Sequence, residues 1–274
     1  MVVNGKDRRE RLDAVSRAVA SARLEGLEPS GKLVGDFREW VDGEASIEAL
    51  VEHRAAYWKA GRPAMGSVGG PDPYVVEGTC TLRNRLGVAD PAELAVAEND
   101  VVSLRAAQLY ARLPRATGLI GQLRNIHRQL FRDVYDWAGE VRRIDISKGG
   151  TMFHPVRMFP TAITYCEQSL RDDNLLRGLP YERFVLKLAT HYDQVNSLHL
   201  FREGNGRSQR IFFDAIAHDA GYRIDWGQAG VRENMEASRA ATLTGDTSLL
   251  AAMFRTIVRP LSEPAVDEPG LPIL

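Results

Sequence analysis

HLFREGNGRSQR, residues 199 to 210, decides how the rest of this 274-residue chain is read. Upstream, Phe184, Val185, Leu188, Tyr192 and Val195 recur on one face of a long buried helix over Tyr181–Leu198. Downstream of Gly206, Phe212, Phe213 and Ile216 mark a second helix. The local layout is therefore helix, tight loop, helix, with His199 at the end of the first and Gly204-Asn205-Gly206 at the turn. Glycines there let the backbone take dihedrals that cost other residues strain, and let a ligand approach the main chain closely. The following helix offers unpaired N–H groups and the positive end of its dipole at that point. Arg207 and Arg210, three apart, sit on one side of its first turn, where the dipole disfavours a cation. A bound phosphate chain removes the conflict, because backbone donors, dipole and two guanidinium forks then all face negative oxygens. Glu203 would repel that phosphate by itself but becomes a ligand if a magnesium ion is shared with it. His199 could act as a general base near neutral pH. Read from the residues alone, this is a phosphate-binding site with a nearby base.

Working outward, the chain before residue 60 reads as two or three short helices. Leu12, Val15, Val19 and Ala22 define an amphipathic helix from about residue 8 to 25, stopped by Gly26 and Pro29. Ile47, Leu50, Val51, Tyr57 and Trp58 define another behind Ser46 as N-cap. GRPAMGSVGGPDP, residues 61 to 73, has the glycine and proline content of a linker. From Pro91 onward the pattern is helical with one interruption, EVRRIDISKGGTMFHP at 140 to 155. There Val141, Ile144 and Ile146, with the turn residues Lys148, Gly149 and Gly150, suit a short hairpin. The expected organisation is an N-terminal helical unit over 1–60, a linker over 61–73, a main domain over 74–258 and a Pro-rich tail over 259–274. The expected fold class is mainly α, a helical bundle with a short β-hairpin.

Composition narrows the partners. The chain is 44% apolar and 26% charged with a formal net charge of -1, so there is no global electrostatic case for nucleic acid or an anionic membrane. Anion binding must be local. Cys80 and Cys166 are too few for a disulfide framework and read as buried small hydrophobes in a reducing cytoplasm. The first residues turn charged where a signal peptide turns apolar, and no apolar run is long enough for a membrane span.

The string from His199 to Arg210 resembles the signature of the Fic family, HxFx(D/E)GNGRxxR, at every specified position: His199, Phe201, Glu203, Gly204, Asn205, Gly206, Arg207 and Arg210. Leu200 stands where many members have proline, a difference expected to affect loop packing. The resemblance extends over about residues 70 to 255, through YVVEGTCTLRNRLGV and WAGEVRRIDISKGGTMF. It implies a mainly helical protein that transfers AMP from ATP to a Tyr, Thr or Ser hydroxyl of another protein. On that footing His199 would deprotonate the hydroxyl, Glu203 would hold Mg2+, and Gly204, Asn205 and Gly206 would cradle the α-phosphate. Arg207 and Arg210 would bind the β- and γ-phosphates, and Phe201 would point into the core. The hairpin Ile146, Ser147, Lys148, Gly149, Gly150, Thr151, Met152 and Phe153 would be the flap on which an extended target segment docks by strand pairing. Bacterial relatives suggest topoisomerase subunits or small GTPases as the target class.

A second resemblance lies near the N-terminus. SARLEG, residues 21 to 26, fits the inhibition motif (S/T)xxxE(G/N), and RLEGLEPSG resembles the small VbhA-type antitoxins that cap Fic toxins. This implies an intramolecular antitoxin-like segment fused to a toxin, with Met65 echoing a toxin's own start. Glu25 would pair with Arg210 where the γ-phosphate belongs, Ser21 would fix the register one turn earlier, and Gly26 would end the helix. The implied protein is a self-inhibited, cytoplasmic protein adenylyltransferase. The rival readings are a nucleotide-binding partner-interaction module with little catalysis, and a Fic variant that removes AMP or transfers another phosphate-containing group. A zinc site on His191, His199 and Glu203 and a DNA-binding helix-turn-helix are the weakest alternatives; His127, His154, His191 and His218 read as structural.

Overall fold

The computed structural model describes residues 4–63, 65 and 72–263. Ten α-helices and two short antiparallel strand pairs make up the described chain. It divides into two compact units. One holds the described residues as far as Arg112 together with Arg128–Gly139, and the other holds Leu113–His127 and the described residues from Glu140 onward.

In the first unit, α1 (Gly5–Arg23) starts at Asn4, whose side chain accepts from the Asp7 amide. Helix α2 (Gly31–Asp42) is capped in the same way by Ser30, and α3 (Ile47–Lys59) by Ser46, the second of which the sequence predicts. Helix α4 (Pro91–Ala111) has Asp90 as N-cap and Pro91 in its first turn, where a missing N–H costs nothing. It packs along α1 and α3 and is buried nearly all round, which is why it clusters with the N-terminal helices rather than with the main domain expected from residue 74. Its polar side chains are spent inside the unit. Asn99 Nδ2 donates to Glu28 O at 3.0 Å, Asp100 accepts from Trp58 Nε1 at 3.2 Å, and Arg105 is bidentate on Asp133. A buried ion pair, Arg54 to Asp36 at 2.6 Å, ties α3 to α2. The expected linker over 61–73 lies partly outside the described residues. Within it Met65 Sδ accepts from Asn84 Nδ2 at 3.2 Å.

The end of α1 explains the form of the SARLEG motif. Leu27 N–H donates to Ala22 O and Gly26 N–H to Arg23 O, the paired bonds of a Schellman turn, and Gly26 sits at φ 76°. Only a residue free of Cβ takes that dihedral cheaply. Ser21 is buried on the last turn, and Glu25, fixed one residue before the glycine, is exposed.

Helix α5 (Ile120–Phe131) belongs to the second unit as far as His127, and its Ile120 amide is held by Glu167 Oε1 at 2.8 Å. Helices α6 (Phe159–Asp172), α7 (Tyr181–Leu198), α8 (Asn205–Asp219), α9 (Val231–Thr244) and α10 (Ser248–Ile257) follow. The five apolar residues expected to line α7 are all buried, as are Phe212, Phe213 and Ile216 of α8. Strands β1 (Ser147–Lys148) and β2 (Thr151–Met152) form the expected hairpin, with Gly149 and Gly150 at φ 57° and 80° as a two-residue primed turn requires. The run Val141 to Asp145 leads into it outside the paired strands.

Strands β3 (Tyr222–Ile224) and β4 (Val258–Pro260) pair antiparallel, which puts 259 and 260, assigned above to the Pro-rich tail, in a strand. Three-residue strands carry too weak an alternation to be read. Residues 264–274 of that tail lie outside the described residues. One expectation is corrected: Cys80 is exposed, and only Cys166 is buried, its thiol pushed up to about 11 by loss of solvent. Among the described residues no helix is long and apolar enough to cross a membrane.

Candidate active site

Helix α7 ends where His199 takes φ 45° and ψ 60°. A β-carbon in that left-handed region costs about 1–2 kcal/mol, so the conformation persists only because its surroundings hold it. The Phe153 ring lies flat on the His199 imidazole, centroids 3.7 Å apart and planes 11° from parallel. The His199 carbonyl accepts from Arg142 Nε at 2.8 Å, and the next carbonyl, of Leu200, accepts from the Arg142 amide at 2.8 Å. Leu200 itself is buried, so an aliphatic side chain fills the place where proline is common.

The loop then turns at Gly204, φ 78°, which is the N-cap of α8. Having no side chain, Gly204 makes no side-chain cap to the first-turn N–H groups, which point toward the positive end of the helix dipole. Asn205 behaves differently from the expected phosphate cradle. Its Oδ1 accepts from Phe201 N at 2.9 Å and its Nδ2 donates to Phe201 O at 2.8 Å, so its side chain braces the loop and only its backbone can serve a ligand. Phe201 points into the core, as expected, and stacks on His127 at 3.8 Å. His127 is completely buried and its Nε2 lies 3.0 Å from Glu203 O. A carbonyl only accepts, so Nε2 carries the proton. Burial, with Arg207 nearby, pulls the His127 pKa down to about 3 and keeps the ring neutral.

Arg207 and Arg210 are both buried, at 5% and 1% exposure. A guanidinium taken out of water that far costs several kcal/mol unless it is paired, about as much as a small domain can lose. Arg207 Nη2 lies 3.4 Å from Glu203 Oε1, and the Arg210 guanidinium stands 6.0 Å from the centre of the Trp226 ring, whose Nε1 donates to Asp214 at 3.1 Å. Glu203 Oε1 also accepts from Gly204 N at 2.8 Å, while the side chain remains 43% exposed. A hard oxygen donor at the open mouth of a helix N-terminus suits a magnesium ion completed by phosphate oxygens and water. Among the described residues no group of three His, Cys, Asp or Glu is placed to hold a metal by itself. The zinc reading has a specific obstacle: His191 is committed to Asp173 through Nε2 at 2.8 Å and to Gln194 through Nδ1 at 3.2 Å.

The hairpin joins this site from 140–155. Phe153 N donates to Ile146 O at 3.3 Å, extending the ladder one step, and Met152 at the edge is 64% exposed. Sequence reasoning singled out neither Arg142 nor His127 nor Trp226 as part of the site; a buried arginine two residues after a Trp-Ala-Gly-Glu run has no distinguishing spacing.

Comparison with known proteins agrees with this geometry. Residues 120–217 match the Fic/DOC family and residues 11–55 match antitoxin VbhA. A probable protein adenylyltransferase Fic of Salmonella typhimurium is 39% identical over 189 residues, 69% of this chain and 93% of that protein. The chain belongs to the Fic/DOC family. The protein adenylyltransferase VbhT of Bartonella schoenbuchensis is 33% identical to this Fic chain over 68% of it, and the match spans 39% of VbhT. Among solved structures, the BepC protein of Bartonella tribocorum with bound AMPPNP aligns at TM-score 0.65 and 25% identity, over 68% of this chain and 96% of that one. A Fic domain of Bartonella quintana with bound ADP aligns at TM-score 0.64 and 26% identity, over 69% and 95%.

Proposed function

We propose that this Fic protein is a self-inhibited protein adenylyltransferase, a nucleotidyltransferase that moves AMP from ATP to a Tyr, Thr or Ser hydroxyl of a target protein. The observation that carries the reading is the placement of His199 at the αL end of α7, one short loop before a helix N-terminus that buries two arginines. The N–H groups of the first turn of α8 take the α-phosphate, and Arg207 and Arg210 take the β- and γ-phosphate oxygens. His199 accepts the proton of the target hydroxyl as its oxygen attacks the α-phosphorus; the bond to the bridging oxygen breaks and pyrophosphate leaves. Glu203 would hold magnesium, which would offset charge on the phosphates. The hairpin Ile146 to Phe153 docks the target as an added strand, and no such strand needs side-chain identity for its main-chain bonds.

Inhibition is a competition for one cation. Glu25, presented at the Schellman end of α1, supplies a carboxylate to Arg210 in place of the γ-phosphate, with Ser21 one turn earlier in the register and residues 11–55 as the antitoxin-like carrier. ATP is then held out of line for attack. The test is intact-mass analysis of Glu25→Gly incubated with ATP, magnesium and a cell lysate, with His199→Ala as control. AMP adducts that appear in Glu25→Gly and vanish with His199→Ala are expected. Adducts equal in the parent and Glu25→Gly refute inhibition by Glu25. Magnesium-dependent ATP binding without any adduct refutes the transferase reading and leaves a nucleotide-binding module; loss of AMP from a modified target identifies removal instead of transfer.

A further inference from the structure

Arg142 is among the most deeply buried side chains of its unit, at 1% exposure, and Asp145, half exposed, lies 3.8 Å from its Nη1. Its guanidinium is spent on four carbonyl oxygens. Nε donates to His199 O at 2.8 Å, Nη1 to Ile144 O at 2.6 Å, and Nη2 to His154 O at 2.6 Å and Leu198 O at 3.3 Å. Two of these acceptors, Leu198 and His199, belong to the last turn of α7, where carbonyls have no intrahelical partner and the helix dipole is negative. The other two stand just before and just after the hairpin. The Phe159 ring lies against the guanidinium, its centre 4.7 Å from the charged carbon. Backbone bonds run alongside, Arg142 N to Leu200 O and His154 N to Ser197 O at 3.1 Å.

We propose that Arg142 is a positioning residue that fixes both ends of the hairpin and the backbone of His199 in one register, so that a docked hydroxyl meets the imidazole. The fork geometry is what lets one side chain span four carbonyl oxygens. Lysine has three donors on one nitrogen and cannot reach them together. The same bonds hold the left-handed His199 in place. The role rests on the reading of His199 as the base.

The test compares the parent, Arg142→Lys and His199→Ala in the Glu25→Gly background. Self-modification at saturating ATP, the Kd for magnesium-ATP, and the ring resonances of His199 by NMR are read on each, with circular dichroism to establish folding. Misplacing a base by about 1 Å costs on the order of 100-fold in rate, so Arg142→Lys should lose about that in turnover while binding magnesium-ATP within about threefold, with shifted or broadened His199 resonances. Turnover within about threefold of the parent, or loss of turnover matched by loss of nucleotide affinity, or unchanged His199 resonances, overturns the proposal. If Arg142→Lys does not fold, the guanidinium protons of the unmodified chain decide. Separate, slowly exchanging Nη resonances support a fork held on fixed carbonyls, and averaged, fast-exchanging ones overturn it. If His199→Ala retains transfer, the base reading fails, and the resonances of His199 and Arg142 still report whether the register is held.

Discussion

Acid should unlock the anion-binding loop through His127 at a pH where its other bonds are intact. The ring is completely buried, donates to Glu203 O and stacks on Phe201, and its pKa is lowered to about 3 by burial, with Arg207 adding to the effect. In the unfolded chain the same histidine titrates at about 6.5. Between those values the unfolded chain binds about one more proton than the folded one at this position, so the stability that the neutral ring contributes is complete above 6.5 and falls with decreasing pH by about 1.4 kcal/mol per unit. At pH 5 the loss relative to pH 8 is about 2 kcal/mol, and by pH 3 it approaches about 5 kcal/mol. His127→Gln is the control, since a glutamine amide can donate to Glu203 O but does not titrate. Urea unfolding of the parent and His127→Gln at pH 8 and pH 5 isolates the effect, because the other groups, including the buried His191, are common to both. The parent should lose about 2 kcal/mol more than the variant across that interval. An equal loss in both, or a His127 ring signal that titrates near 6.5 in the folded chain, refutes the argument.

The other predictions concern the frame around the site. Asn205→Ala removes both bonds to the Phe201 backbone and leaves a buried N–H and C=O without partners, which should cost about 2–4 kcal/mol in a urea titration, with magnesium-ATP binding lost in parallel. Asp36→Ala strands the buried Arg54 guanidinium and should destabilise the first unit by about 3–5 kcal/mol, most of it recovered in the double variant Asp36→Leu with Arg54→Met. Hydrogen exchange of α1 to α3 locates that loss. Gly150→Ala adds a Cβ that meets no atom within 4 Å, so its cost is only the φ of 80°, about 1–2 kcal/mol confined to the hairpin. The expected result is an unchanged ATP affinity with reduced modification of the target; unchanged modification would remove the hairpin from target docking.

Helices α7 and α8 were legible because each carries a full apolar stripe, and the cap of α3 because serine before a periodic run leaves few alternatives. The flap was legible from Gly149-Gly150, whose paired positive φ values fit a two-residue turn. The allocation of α4 to the N-terminal helices was not. Its sequence, with Glu98, Asn99, Asp100, Ser103 and Arg105 among the buried positions, reads as a partly solvated face, and only partners far away in sequence, Glu28, Trp58, Asp133 and Tyr135, turn it into a core helix. Long-range satisfaction of polar groups has no local period, so the hydrophobic pattern cannot announce it.

The same limit separates the letters of the Fic motif into two kinds of work that look alike on paper. Asn205 and Phe201 are spent on the loop itself, the one bracing the other's backbone and the other filling the core against His127. Arg142, outside the motif, fastens the carbonyl of His199 as firmly as any residue inside it. The groups gathered at the site are few: the imidazole of His199, the first turn of α8, the Glu203 carboxylate and two guanidinium groups. A left-handed histidine and two deeply buried arginines each carry a cost that their surroundings must offset. They are tolerable together because rigid, fully bonded neighbours hold each in one place, and a site held to within a fraction of an ångström is what in-line transfer to phosphorus requires. Replacing Arg142 should therefore damage turnover more than nucleotide affinity wherever the fold survives, and replacing Arg207 or Arg210 should do the reverse.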